Sequence, residues 1–325
     1  RRERRLRAAR LRLLPPGRDG DALPTLAVVE TCIDDMPYLV DTVAIAVREA
    51  GVSIDWAVHP ILKVRRDGQG RIAAIGDALA GDADAPLESW IHMEFEPLPN
   101  DAAYAALERQ LSAALGDLRC AVADTAAMRA RALALAEGLA TVPPQADPAE
   151  FAEGREFLQW LADGHFMFLG YTETQATAAA GGGKQLVHTH EAALGLSRPG
   201  QRYADTEALI APKAELDKYA ESPRLIVVTK ASRRAHVHLA DYMDVISVKQ
   251  YGSDGAVAGT CRFVGLFASD VYVDRPRTIP LIRAKADYVM RRSRIGEQTH
   301  SGKLLSEILH LLPRDELFQS SEDEL

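Results

Sequence analysis

A chain of 325 residues, 47% hydrophobic and 26% charged, has room for two domains and the make-up of an ordinary globular protein. Its apolar runs fall far short of the roughly 18 to 20 residues of a membrane span, and its first residues lack the apolar core of a secretion signal, so no membrane partner and a cytoplasmic location are expected. Cys32, Cys120 and Cys261 are spaced too widely for a disulfide framework or a paired-thiol metal knuckle, and buried thiols are the expectation.

Charge is uneven along the chain. Residues 1–20 hold eight Arg against Glu3 and Asp19, a net of +6, which leaves −14 for the rest of a protein whose total is −8. Leu6, Leu11, Leu13 and Leu14 interleave with the arginines and Pro15-Pro16-Gly17 ends the run, so residues 1–24 read as a basic helical arm that docks on protein. No nucleic-acid partner is expected, because the acidic body would repel phosphate.

Thr25 to Asp67 reads as strand, helix, strand. The first segment is apolar and β-branched and ends on Asp34 and Asp35, and Pro37 suits a first helical turn. Leu39, Val40, Val43 and Val47 then recur at helical spacing until Gly51. Ile54, Trp56, Val58, Leu62 and Val64 alternate with Asp55, His59, Lys63 and Arg65 as a second strand. Asp67-Gly68-Gln69-Gly70 is hairpin chemistry, Ile72 to Ile75 can return as a short strand, and Gly76 to Ala85 is a loop. Ile91, Met93 and Phe95 mark another strand, Leu107, Leu111, Leu115 and Leu118 a helix, and Met128, Leu135 and Leu139 a further alanine-rich helix. An antiparallel sheet with helices on one face fits this order over residues 25–141.

Pro143-Pro144 breaks the pattern, and residues 142–277 read as a second domain. Phe151, Leu158 and Leu161 mark its first helix, which Gly164 ends. Phe166 to Tyr171 is apolar on both parities and reads as a central strand. Ala176 to Gly183 is a low-complexity loop tip. Leu186 to His190, Arg224 to Ala231, Asp244 to Tyr251 and Val257 to Ala268 follow as strands, the last two joined by Gly252-Ser253-Asp254-Gly255. Residues 278–325 read as helical: Thr278 caps a helix that carries Pro280 in its first turn, and Ser301 caps another with Leu304, Leu305, Ile308 and Leu312.

Chemistry-bearing motifs are scarce. No G-x-G-x-x-G joins a strand to a helix, and AAAGGGKQ at 178–185 lacks the first glycine and the Ser or Thr of a phosphate loop, so no cofactor site is expected. His188-x-His190 and His236-x-His238 each put two imidazoles on one strand face; hydrogen bonding across a sheet explains them better than metal binding. Asp34 and Asp35 read as caps for the following helix rather than as an acid/base pair.

Four separated blocks carry a family resemblance. IDDMPYLVDTVAIAV with VHPILKVRRD, HFMFLGY (165–171), HVHLADYMDVISVKQY (236–251) with RFVGLFAS (262–269), and PRDELFQSSEDEL (313–325) resemble the amino-terminal ACT-like and PAS-like regulatory region of the large bacterial NAD-dependent glutamate dehydrogenases. The resemblance implies an α+β fold. An ACT-like (ferredoxin-like βαββαβ) domain would be followed by a PAS-like or second ACT-like antiparallel α+β domain and a helical segment leading into downstream catalytic domains of the same chain. It further implies a non-catalytic regulatory and oligomerisation role, with NAD as cofactor of the parent enzyme and none in this portion. ACT domains bind amino acids between the first strand and first helix, which makes Asp34, Asp35, Met36, Pro37, Tyr38 and Leu39 the candidate effector residues. Tyr38 stands where the family's usual glycine follows the proline and would fill that pocket. A stand-alone amino-acid sensor is the alternative. Edge strands and the apolar face of residues 304–312 imply a homo-oligomer.

Overall fold

A computed structural model describes residues 10–17, 25–143, 146–178, 184–201, 224–252 and 255–325. The chain divides into two compact units, one of Arg1–Val122 with Ala235–Asp241, the other of Ala123–Arg234 with Tyr242–Leu325.

The first unit is built on an antiparallel sheet. Its strands are β1 (Arg10–Leu14), β2 (Ala27–Asp34), β3 (Ile54–Val58), β4 (Ile61–Arg66), β5 (Ile72–Ile75) and β6 (Leu87–Phe95), in the order β1-β2-β6-β4-β5 with β3 also against β6. Val29 and Ile33 of β2, with Ile91, Met93 and Phe95 of β6, are buried, as are Leu39, Val43 and Val47 of helix α1 (Leu39–Glu49). Gly51 ends that helix at φ 84°, its N–H donating to Arg48 O at 2.9 Å, the left-handed stop that a glycine provides at no steric cost.

The structure differs from four expectations for this unit. Residues 10–14 of the basic arm form a strand, not a helix: Arg10, Leu11, Arg12 and Leu13 alternate with period 2, and the segment pairs from Arg10↔Cys32 to Leu14↔Val28 along β2. Residues 1–9 and 18–24 lie outside the described residues. The second strand is two strands, because Pro60 has no N–H to give the ladder; β3 pairs up to Val58↔His92, and β4 resumes at Ile61↔Ser89 on the same side of β6. The closing strand of a βαββαβ unit is not found among the described residues: helix α2 (Asp101–Gly138) follows β6, and β1 holds the edge beside β2. That helix is one element of 38 residues, where the spacing predicts two. Its alanine-rich stretch contains no proline and favours unbroken helix.

In the second unit α3 (Pro148–Trp160) opens on Asp147, whose side chain accepts from Ala149 N at 2.9 Å. A single π-type turn (Leu161–His165) ends with Gly164 at φ 113°. The sheet holds β7 (Phe166–Ala178), β8 (Lys184–Gly195), β9 (Ile226–Arg234), β10 (Tyr242–Tyr251) and β11 (Val257–Phe267) in the order β8-β7-β11-β10-β9, all antiparallel. Phe166, Phe168, Leu169 and Tyr171 are all buried, as their two-parity apolar pattern requires, and β7 has a neighbour on each side. Phe151, Phe157 and Leu158 pack with Ile246, Val248, Phe263 and Phe267 in the core. β10 and β11 form a long hairpin within this sheet. The tip of the 176–183 loop and Ser253-Asp254 lie outside the described residues.

Helices α4 (Asp270–Val273), α5 (Ile282–Ser293), α6 (His300–Leu311) and α7 (Arg314–Gln319) complete the chain. Two caps differ from expectation. Leu281, at φ 69°, precedes α5 in place of Thr278, whose hydroxyl instead donates to Arg275 O at 2.8 Å. Thr299 rather than Ser301 caps α6, its Oγ1 accepting from Gly302 N at 3.1 Å.

Candidate functional site: the turn between β2 and α1

The turn from Asp34 to Leu39 joins the end of a central strand to a buried helix. Asp35 N–H donates to Leu87 O at 2.9 Å, which holds the turn against β6. The Asp35 Oδ1 accepts from Ser89 Oγ at 2.5 Å, and Ser89 Oγ lies 2.9 Å from His59 Nε2. The single serine proton goes to the carboxylate, so the ring nitrogen must be the donor in the second bond. A nucleophilic serine needs the reverse polarity, with its proton given to the imidazole. Asp35, Ser89 and His59 therefore form a structural array in which a fully buried hydroxyl is satisfied from both sides.

The expected capping by Asp34 and Asp35 is corrected. The residue at the cap position is Tyr38, which makes no side-chain cap bond and sits in the left-handed region at φ 68° and ψ 10°. Thr42 returns both its N–H (3.0 Å) and its Oγ1 (2.8 Å) to Tyr38 O. Met36 is half-buried, Pro37 exposed, Tyr38 37% exposed and Leu39 buried.

Residues 235–241, between β9 and β10 in the chain, belong to the same unit and touch Tyr38 and the first turn of α1. The Tyr38 and His238 rings lie 4.5 Å apart, His238 N–H donates to Thr42 Oγ1 at 3.3 Å, and His238 Nδ1 is 3.0 Å from Asp41 Oδ2. His236 Nδ1 is 3.2 Å from Glu49 Oε2, which also accepts from Gln110 Nε2. The two histidines thus sit in a loop on separate carboxylates, not on a strand face. β8 and β9 occupy opposite edges of their sheet, and His236 and His238 lie beyond the end of β9. No metal-holding group occurs among the described residues, and the side chains of His188 and His190 lie outside them.

A second polar cluster lies on the other face of the first sheet. Arg66 donates to both oxygens of Glu88, to Cys32 Sγ at 3.2 Å and to Gly70 O at 3.0 Å, and Trp90 Nε1 donates to Glu88 Oε2 at 3.2 Å. Burial works against ionisation of Glu88, but these donors prevail and hold its carboxyl down at about 2. Burial and the neighbouring carboxylate push the Cys32 thiol up to about 11, which leaves it a poor nucleophile. Sequence reasoning missed Ser89, His59, Thr42 and the Arg66–Glu88 pair; alternation put Arg65 and Lys63 on a solvent face but gave no sign of which charged residues meet.

The turn does not fit a dinucleotide. Among the described strands no pair is parallel, and a pyrophosphate at this strand-to-helix turn would meet two carboxylates and the Tyr38 side chain where glycines are needed.

Comparison with known proteins gives consistent matches. Residues 2–111 match the family model described as glutamate dehydrogenase, ACT1 domain, and residues 279–325 match glutamate dehydrogenase, helical motif 1. The chain is 35% identical over 301 residues to the NAD-specific glutamate dehydrogenase of Pseudomonas aeruginosa, a match covering 93% of this chain and 18% of the relative. It is 36% identical over 293 residues to that of Halomonas elongata, covering 90% and 18%. The chain is similar to a segment of the NAD-specific glutamate dehydrogenases. A more distant member from Mycobacterium tuberculosis is 26% identical over 291 residues, covering 88% and 16%. The chain spans about a fifth of the length of these relatives, so the glutamate dehydrogenase match is to an ACT-bearing segment of a much longer protein.

Proposed function

We propose that this chain is a non-catalytic regulatory and assembly portion of an NAD-dependent glutamate dehydrogenase. The whole enzyme would oxidise L-glutamate with NAD and water to 2-oxoglutarate, ammonium and NADH in the cytoplasm, through a catalytic domain elsewhere in the same polypeptide. The observation that carries the assembly reading is the edge of the first sheet. Among the described strands β3 pairs with β6 alone; Trp56 on it is 58% exposed, and Ile61 of β4 and Leu87 of β6 are 49% and 46% exposed. An unpaired strand edge with bulky apolar neighbours is a template for a second copy. Light scattering at high micromolar concentration tests this: a dimer or larger species is expected, dissociated by Trp56→Glu, and a strictly monomeric wild type refutes the reading.

A second reading adds an amino-acid effector at Asp34, Asp35, Met36, Pro37, Tyr38 and Leu39. What favours it is the closeness of two carboxylates to the first turn of α1, a pairing that suits an ammonium group and a carboxylate of one ligand. Calorimetric titration with L-amino acids tests it.

A further inference from the structure

The start of α1 is covered by the protein itself. Loop 235–241 anchors on Ala235 and Val237, which are 2% and 1% exposed, and presents His238 to the turn. That one residue uses its ring against Tyr38, its N–H on Thr42 and its Nδ1 on Asp41. Tyr38 and His238 both hold positive φ, at 68° and 65°, a region that non-glycine residues occupy only where surrounding contacts impose it. A ring face, a hydroxyl acceptor and a carboxylate are groups that would also engage a free amino acid, and here a residue of the same chain takes them.

We propose that loop 235–241 is a tethered occupant of the turn at Asp34 to Leu39, an autoinhibitory contact that keeps free L-amino acids out until it lifts. The proposal rests on the effector reading of that turn. An occupant on the same chain competes at high effective concentration, and apparent affinity falls by the fraction of time the site is open. A site open a tenth of the time binds about tenfold more weakly than the open form.

The test uses the full chain as wild type, His238→Gly and Val237→Ser, titrated calorimetrically with each of the protein L-amino acids, with amide hydrogen exchange followed at Leu39 to Thr42. His238→Gly removes the ring and relieves the positive φ; Val237→Ser loosens the buried anchor, and neither alters Asp34 to Leu39. Faster exchange at Thr42 is expected in both variants, with at least one amino acid bound about tenfold or more tighter than by wild type. Equal, measurable affinities in all three proteins overturn the occupancy while leaving the effector reading intact. Binding by none of them, with exchange accelerated, overturns both, because the loop then covers no site. Unchanged exchange in both variants overturns the proposal directly, since the loop is then not what closes the turn.

Discussion

Arg66 and Glu88 meet through two bonds, Nε to Oε1 at 2.7 Å and Nη2 to Oε2 at 2.6 Å, with side chains only 6% and 3% exposed. The geometry is the two-pronged form that gives an Arg–carboxylate pair its strength, and the pair ties β4 to β6 across the face opposite the helices. Its linkage to pH has a definite sign. Glu88 falls from the ordinary 4.5 to about 2 in the folded state, so its contribution is complete above about 4.5 and is lost as pH falls through about 2. A shift of that size corresponds to about 3 kcal/mol. Denaturant titrations between pH 6 and pH 2 should show an acid limb in the first unit, and Glu88→Gln should remove much of that limb. The substitution should also cost about 3 to 5 kcal/mol at neutral pH, because it strands a buried guanidinium.

Gly265 and Gly116 offer a contrast in backbone room. Gly265 follows the register shift in β11, and a Cβ there would collide with Met167 O and the Phe166 ring. Gly265→Ala should cost about 1 to 3 kcal/mol by overpacking. Gly116, exposed on α2, has no neighbour in reach of a Cβ, so Gly116→Ala should stabilise by about 0.5 to 1 kcal/mol. Thermal melts of the two variants beside wild type check both signs.

What could be read from the sequence was set by local periodicity. Val43 and Val47, Leu107 to Leu118, and the two-parity burial of Phe166 to Tyr171 follow from spacing alone, and the structure buries them as expected. Errors arose where a short segment matched two periods or where a single residue interrupted one. Arg10 to Leu14 reads equally as an interleaved helix or an alternating strand, and only the free edge of β2 decides for the strand. Pro60 divides a run whose side-chain alternation continues on both sides. The site was less legible still. Tyr38 stands out in the sequence as a bulky residue in the turn, but the partner that lies on it comes from loop 235–241, which no local pattern connects to α1.

Arg314 gives a third prediction. Its guanidinium is buried and donates to the carbonyls of Val271 (3.0 Å), His310 (3.1 Å), Leu312 (3.2 Å) and Asp274 (2.7 Å), so one side chain joins the segment around α4 to the ends of α6 and α7. Bonds to a charged donor are worth about 1.5 to 3 kcal/mol each, though a shared donor does not sum them. Arg314→Met should cost about 3 kcal/mol or more. Arg314→Lys should recover only part, since a single ammonium cannot span acceptors placed for a planar fork. Hydrogen exchange over residues 270–274 and 310–319 localises the loss: acceleration in both stretches is expected, and acceleration in one alone contradicts the joining role.

The bond between Asp35 and Ser89 allows the role of the turn to be separated from simple support. Ser89 is fully buried, so Asp35→Ala leaves its hydroxyl without the carboxylate and should cost about 1 to 3 kcal/mol. Ser89→Ala removes the donor and leaves Asp35, which is half-buried and can turn to water, so it should cost less. If the pair is an ordinary structural contact, the double variant should be less destabilised than the sum of the two, with a coupling of about 0.5 to 3 kcal/mol. His59, bonded to the same hydroxyl, should lose order in either single variant. The same proteins carry the functional test, because a purely supporting Asp35 changes stability without changing any amino-acid affinity that remains once loop 235–241 has been loosened. In a His238→Gly background, Asp35→Ala should therefore lower the unfolding midpoint and weaken the bound amino acid if the carboxylate receives an ammonium group. It should lower the midpoint alone if Ser89 is its only partner of consequence.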